Sequence, residues 1–408
     1  MEKTFGLLGE KLGHSYSPLI HSYLGDYNYV LYEVSSSELT RFMSERKFDG
    51  INITIPYKQA VIPHCATLSK EARTIGSVNT IIKDKDGLLH GYNTDYFGFG
   101  IMLELAGIKP SDKKALVLGD GGSAKTVRAV LGDSGACEVI TISRKGNENY
   151  GNISRHYDAD IIINTTPVGM YPDNCNSPLN LDEFRQLTGV ADLIYNPMNT
   201  RLLLKAGQLG IPCINGLSML VGQAEMASRI FTGVSARHEL IDEIIKTIKH
   251  KTQNLVLIGM PGCGKSTTGR YLAEMTGRQF SDIDDLIEKT AGKNIPEIFR
   301  EDGEDTFRSM ETQVLGEAAK KSGIIIAAGG GVVTRPENLD LMQQNSRIVY
   351  LRNKINKLKT EGRPLSLGVG VEILAKQRLP LYEAWSDYII DVCDEPEQTA
   401  KNIIEVIK

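Results

Sequence analysis

Residues 259–267 read GMPGCGKST and stand between the apolar run LVLIG (255–259) and a helical pattern over 267–276. A G-x-x-x-x-G-K-[ST] run between a strand and a helix is the setting of a phosphate-holding loop in a parallel α/β unit. Its successive backbone N–H groups and the helix N-terminus converge on phosphate oxygens. Gly262, Cys263, Gly264, Lys265, Ser266 and Thr267 make up the cradle expected to hold ATP. Lys265 can reach the β- and γ-phosphates, and the Ser266 hydroxyl suits Mg2+.

A second loop of another kind lies earlier in the chain. GDGGSA (119–124) follows the strand-like residues 115–118 and precedes the helical pattern KTVRAVLGDSG. Gly119, Asp120, Gly121, Gly122, Ser123 and Ala124 fit a Gly-x-Gly-x-x-[GA] turn over a dinucleotide pyrophosphate. The side chain of Asp120, an anion beside an anionic ligand, has to point away. The next strand-like run, CEVITISR (137–144), ends in Ser143, Arg144 and Lys145. Cations where an NAD site tends to carry a carboxylate favour a 2′-phosphate, hence NADP(H).

A chain of 408 residues is long for one core, so two or three domains are expected. Apolar runs at 4–8, 29–34, 50–56, 78–83, 159–167, 190–197 and 212–217 alternate in part with helical patterns, as do 324–331 and 347–352 farther on. Such alternation implies parallel, helix-covered sheets. Leu240, Ile241, Ile244, Ile245 and Ile248 mark an amphipathic helix over 235–250, and the polar run KHKTQN (249–254) then reads as a linker. Basic and acidic residues nearly cancel, 46 against 50, and neither part has the basic excess of a nucleic-acid binder. The six cysteines form no Cys-x-x-Cys pair, His14, His21, His64 and His90 lack metal-ligand spacing, and no apolar window approaches a membrane span. The N-terminus lacks the pattern of a signal peptide, so a reducing cytoplasm is expected. All seven histidines lie at or before His250, so chemistry in the later part must do without histidine.

Beyond the phosphate loop come DID (282–284), FRSME (307–311), GGG (329–331), RPL (363–365) and RLPLY (378–382). In this order the set resembles shikimate kinase over essentially all of 254–408. The resemblance implies that Asp282 holds Mg2+ through water and that Asp284 binds the acceptor hydroxyl and helps remove its proton. It implies that Arg308 and Arg378 grip a substrate carboxylate, that Gly330 lines that pocket with its backbone, and that Arg363 rides a mobile lid over the transferred phosphoryl group. These roles agree with general chemistry: phosphoryl transfer needs positioning and charge stabilisation, and the arginine fork suits a carboxylate.

Residues 1–250 carry HSYSP (14–18), NITIPYK (52–58), SVNT (77–80), GYNTDYFG (91–98), NTTPVGM (164–170), YNP (195–197) and NGLSMLVGQA (215–224). Together these resemble shikimate dehydrogenase. The resemblance implies that Ser15 and Ser17 bind a carboxylate, that Thr54, Asn79, Tyr195 and Gln223 contact substrate, and that Leu193 and Gly216 line the nicotinamide side. Lys58 and Asp95 become the catalytic pair, because a ketone that accepts hydride needs a proton and a lysine held by a carboxylate can supply it. The chain departs from the family pattern at Ser143-Arg144-Lys145, where Asn-Arg-Thr is common.

The expected fold is thus α/β throughout: a two-lobed dehydrogenase, then a P-loop domain like the nucleoside monophosphate kinases. The substrate lobe is 1–98 completed by helices from 217–250, the Rossmann-like NADP lobe is 99–216, and the kinase is 255–408. The expected activity is reduction of 3-dehydroshikimate to shikimate and then phosphorylation of the same hydroxyl, with NADP(H), ATP and Mg2+ and with neither nucleic acid nor membrane as partner. Two alternatives stay open: a quinate/shikimate dehydrogenase joined to a kinase for another hydroxy acid, and a shikimate-sensing regulator built from enzyme-like domains.

Overall fold

The computed structural model describes residues 3–13, 15–235, 238–358 and 370–407. The chain divides into two compact units: Met1–Met170 with Cys175–Tyr195 and Lys205–Thr247, and Ile248–Lys408 with Tyr171–Asn174 and Asn196–Leu204.

The first unit holds two sheets. One contains β1 (Thr4–Gly9), β2 (Asn28–Glu33), β3 (Gly50–Ile53), β4 (Thr67–Leu68), β5 (Thr80–Lys83) and β6 (Leu89–Tyr92), in the order β2-β1-β3-β5-β6-β4. It is mixed, where strand–helix alternation predicted a parallel sheet: β5 runs antiparallel to both β3 and β6. For β5 and β6 the reason is local. Asp84 accepts the backbone N–H groups of Asp86 and Leu88, and Gly87 takes φ +78°, so the chain reverses within a hairpin. The other sheet contains β7 (Lys114–Leu118), β8 (Glu138–Ile142), β9 (Ile161–Asn164), β10 (Gly189–Asp192) and β11 (Cys213–Asn215), in the order β11-β10-β9-β7-β8, all parallel. Its strands are nearly continuous apolar runs, as burial on both faces requires. The strand order reverses beside β7, and the GDGGSA loop leaves the carboxyl end of that strand, where open α/β sheets take ligands.

The helices Asp95–Leu105 and Leu217–Thr232 join the lobes by close contact. A Cβ on Gly98 would lie 2.5 Å from the Met219 carbonyl oxygen and 2.8 Å from the Gln223 nitrogen. The glycine therefore sets how near Gln223 comes to the start of the helix that carries Asp95.

The second unit has one parallel sheet of β12 (Asn254–Ile258), β13 (Phe280–Asp282), β14 (Ile325–Ala327), β15 (Ser346–Arg352) and β16 (Tyr388–Asp391), ordered β13-β14-β12-β15-β16. The phosphate loop leaves the carboxyl end of its central strand, β12. The run 249–254, expected as a linker, is ordered secondary structure instead. The helix His238–Thr252 extends through it, and β12 begins at Asn254. The polar side chains misled because they serve the helix end: Arg278 donates to the carbonyls of His250 and Gln253, and the Thr252 hydroxyl to that of Ile248. Two earlier segments complete the unit. Buried Asn174 and Gln344 join side-chain amides, and the Asn199 backbone N–H donates to the Gln344 carbonyl at 2.8 Å.

Replacing Gly98 with alanine forces the two lobe-joining helices apart. Gly98→Ala is expected to destabilise the chain by about 1–3 kcal/mol, the usual range for overpacking. Thermal unfolding checks this, and an unchanged Tm would show that the helices can separate freely.

Candidate active sites

In the first unit, a cleft of roughly 560 Å³ opens between the lobes. Ser15, Ser17, Thr54, Lys58, Asn79, Asp95, Tyr195 and Gln223 all line it, together with Leu193 and Gly216. Lys58, in the turn after β3, donates from Nζ to Asp95 Oδ2 at 2.6 Å, and both side chains stay partly exposed. Asp95 is the first residue of its helix and Thr94 takes the N-cap position, so the Asp95 carboxylate goes to Lys58 rather than to a cap. Buried Asn79 fixes this helix start: its Oδ1 accepts the Thr94 N–H at 2.6 Å, and its Nδ2 donates to the Thr94 hydroxyl at 3.0 Å. The Ser17 N–H donates to the Ser15 hydroxyl at 3.2 Å. Burial and the neighbouring Tyr16 push the Tyr195 phenol pKa up, so Tyr195 enters the cleft as a neutral hydroxyl.

Gly216 marks the tightest approach in the cleft wall, because a Cβ there would stand 2.0 Å from the Leu193 carbonyl oxygen. The GDGGSA loop sits over the parallel sheet. Gly119 has φ +101°, and the helix Gly122–Asp133 starts without a side-chain cap, leaving its first N–H groups for a ligand. The space beside Gly121 and Gly122 is open, Asp120 and Ser123 are exposed, and Ala124 is buried. Ser143 is buried just past the end of β8, while Arg144 and Lys145 are exposed beside it. Uncapped N–H groups for a pyrophosphate and two cations beyond the next strand fit NADP(H).

In the second unit, a cleft of roughly 750 Å³ is lined by Gly262, Cys263, Gly264, Lys265, Ser266, Thr267, Asp282, Asp284, Arg308, Gly330 and Arg378. Gly264, at φ +104°, caps the helix Lys265–Thr276 without a side-chain bond. Buried Lys265 donates from Nζ to the carbonyls of Gly259 and Met260 at 2.9 and 3.2 Å. Asp282 accepts the Asp284 N–H at 3.1 Å as cap of the helix Ile283–Ala291. The hard oxygens of Ser266 and Asp282 fit Mg2+, which binds through few protein ligands and keeps waters and phosphate oxygens. The Asp284 pKa rises from 3.8 to about 6, first through burial and then through the charge of Asp282, while Lys265 and Arg308 pull it back. Arg363 lies outside the described residues.

Several residues of this cleft were quoted within sequence motifs without a role. Fully buried Glu311 accepts from Arg308 at 2.7 Å, and Glu304 takes two further N–H groups of the same guanidinium at 3.2 and 3.3 Å. Burial raises the Glu311 pKa, and Arg308 opposes that rise. The GGG run has packing reasons at each position: a Cβ would stand 2.1 Å from Glu311 Oε1 at Gly329, 2.5 Å from Pro261 at Gly330 and 2.0 Å from Arg308 at Gly331. Arg378 donates to the Gly330 carbonyl at 3.0 Å, and the Tyr382 hydroxyl donates to the same oxygen. In the first cleft the missed residue is Asn52, accepting from the Tyr29 hydroxyl at 2.8 Å and donating to Thr80 at 3.0 Å, and buried Thr94 was missed behind it. The available signal was spacing: Glu311 follows Arg308 by three residues on one helix face.

Comparison with known proteins agrees with this division. Residues 7–81 match the model of the shikimate dehydrogenase substrate binding domain, and residues 261–408 match the shikimate kinase family model. A shikimate dehydrogenase (NADP(+)) of Clostridium perfringens is 36% identical over 268 residues, covering 60% of this chain and 98% of that protein. The crystal structure of a chorismate mutase/shikimate 5-dehydrogenase fusion protein from Clostridium acetobutylicum is 35% identical, with TM-score 0.58 over 62% of this chain and 98% of that one. Shikimate 5-dehydrogenase of Thermus thermophilus, solved with NADP(H) and shikimate, is 31% identical, with TM-score 0.55 over 60% of this chain and 99% of that one. The two clefts thus lie in a bifunctional chain that belongs to the shikimate dehydrogenase family and continues into a shikimate kinase domain.

Proposed function

We propose that the chain reduces 3-dehydroshikimate to shikimate with NADPH and then phosphorylates shikimate at the newly formed 3-hydroxyl with ATP and Mg2+. The observation that carries this reading is the pairing in each cleft of a phosphate loop with a group able to move a proton. Lys58 is held by Asp95 in the first cleft, and Asp284 lies near Lys265 and Arg308 in the second.

In the first cleft, bound NADPH supplies hydride to the ketone carbon. Lys58 orients the carbonyl oxygen and delivers the proton that the forming alkoxide needs, and Asp95 keeps the ammonium in place. Ser15 and Ser17 hold the carboxylate, Thr54, Asn79, Tyr195 and Gln223 hold the ring hydroxyls, and Leu193 and Gly216 shape the nicotinamide wall. Arg144 and Lys145 meet the 2′-phosphate.

In the second cleft, bound ATP would supply the phosphoryl group, and Ser266 and Asp282 would hold Mg2+, which would neutralise phosphate charge. Asp284 accepts the hydrogen bond of the acceptor hydroxyl and takes its proton as the new oxygen–phosphorus bond forms and the bond from the γ-phosphorus to the ADP oxygen breaks, releasing ADP. Arg308 and Arg378 hold the substrate carboxylate. Glu311 keeps the Arg308 guanidinium rigid, and Lys265 balances charge on the transferred group. The product of the first cleft is the substrate of the second, so both steps act on one carbon of one metabolite.

The full chain incubated with 3-dehydroshikimate, NADPH, ATP and Mg2+ is expected to form shikimate 3-phosphate. With the two reactions assayed separately, on 3-dehydroshikimate with NADPH and on supplied shikimate with ATP and Mg2+, Lys58→Ala should stop the reduction alone, and Lys265→Ala the phosphorylation alone, each by at least about 10²-fold, the low end for loss of a proton-transfer or charge-stabilising group. If either substitution stopped both reactions in a folded chain, the division of labour would be wrong.

Asp284 also links activity to stability. Its folded pKa lies above the unfolded value, so the protonated form favours folding. That contribution is fully present below about pH 4 and is lost as the pH rises through about 6. Asp284→Asn, neutral at every pH, is expected to stabilise the nucleotide-free chain at pH 7 by roughly 2–3 kcal/mol and to abolish phosphorylation. Urea unfolding at pH 7 checks this, and a less stable variant would contradict the buried-charge account.

A further inference from the structure

The second unit carries another cleft, of roughly 630 Å³, at the opposite end of its sheet. It lies where β12, β13 and β14 begin, whereas the phosphate loop and Asp282 lie where β12 and β13 end. Its wall is made by the last turn of the helix His238–Thr252, by the turn 276–279 before β13 and by the turn 321–324 before β14. Lys251, Arg278 and Lys321 line it with the hydroxyl residues Thr276 and Ser322, and no carboxylate is among its described lining residues.

Among the described residues, no ion pair joins Lys249, Arg278, Lys321 or Arg347 to a carboxylate. The helix C-terminus contributes only about half a negative charge, which Arg278 already meets through the carbonyls of His250 and Gln253. Burial and mutual repulsion lower the pKa values of Lys249, His250 and Arg278, with Arg347 adding to each. Like charges gathered at a concave surface raise the local concentration of anions. The turns that hold them are fixed: the Gly323 N–H donates to the Thr252 carbonyl at 2.8 Å, and a Cβ on Gly323 would stand 2.4 Å from the Lys251 carbonyl oxygen.

We propose that this cleft binds a small phosphate-bearing metabolite, at a site separate from the ATP cradle. Lysine ammonium groups hold phosphate as point charges, Arg278 adds a planar donor, and the Ser322 hydroxyl can donate to a phosphate oxygen, while the Thr276 hydroxyl already donates to the Leu272 carbonyl. The cleft is large enough for a compact ligand attached to that phosphate.

The test is calorimetric titration of the full chain with inorganic phosphate at constant ionic strength, the kinase cleft being filled with ADP, Mg2+ and shikimate. A saturable event is expected in the wild-type chain, and Lys321→Glu with Lys251→Gln should weaken it at least tenfold. Both substitutions lie away from the two active-site clefts, so circular dichroism and both turnover rates should stay unchanged. The proposal is overturned if the doubly substituted chain binds phosphate as the wild type does, if no saturable event occurs, or if Lys265→Ala removes the same event, which would return the phosphate to the ATP cradle.

Discussion

Both clefts depend on places where a Cβ atom has no room. In the second unit the backbone at 329–331 lies against Glu311, Pro261 and Arg308 at distances a side chain would forbid. That contact lets a buried arginine–glutamate pair stand at the wall of the kinase cleft with its geometry fixed. In the first unit Gly98 lets two helices touch, and Gly216 brings its strand end against Leu193. Close backbone approach, rather than any one hydrogen bond, sets the distances at which the polar groups meet.

With those distances set, the two clefts handle charge differently. Lys58 and Asp95 form a short ion pair at a partly exposed position, where water screens the charges and keeps the pair adjustable. Asp284 is less fortunate, since burial and Asp282 both oppose its ionisation, and Lys265 and Arg308 offset only part of that cost. A carboxylate whose pKa is raised is a stronger base than an exposed one. Arg308 is paired with buried Glu311 and with Glu304, which offset the cost of burying its charge.

The glycine-rich loops were legible because their chemistry is backbone chemistry, written in local order: strand, glycines, helix. The residues that line the clefts were legible through family resemblance, because Lys58, Asp95, Arg308 and Arg378 come from separate turns and helices. Asn52 and Thr94 escaped notice because their partners, Tyr29, Thr80 and Asn79, lie on other strands and loops. The run 249–254 misled for a related reason. Its polar side chains look solvent-loving, yet the carbonyls of His250 and Gln253 are taken by Arg278, a residue far along the chain. The mixed sheet was missed because strand direction depends on which strands pair, and a tight turn at Asp84–Gly87 decides that for β5 and β6.

The sequence by itself determined the two glycine-rich loops between strand and helix and the α/β class, since each follows from local spacing and periodicity. Only the tertiary structure decided that Lys58 meets Asp95, that burial raises the Asp284 pKa, that each glycine of 329–331 clears a different neighbour, and that Lys251, Arg278 and Lys321 face one cleft. Those features arise from contacts between residues far apart in the chain, and distance, burial and charge come into being only when the fold brings them together.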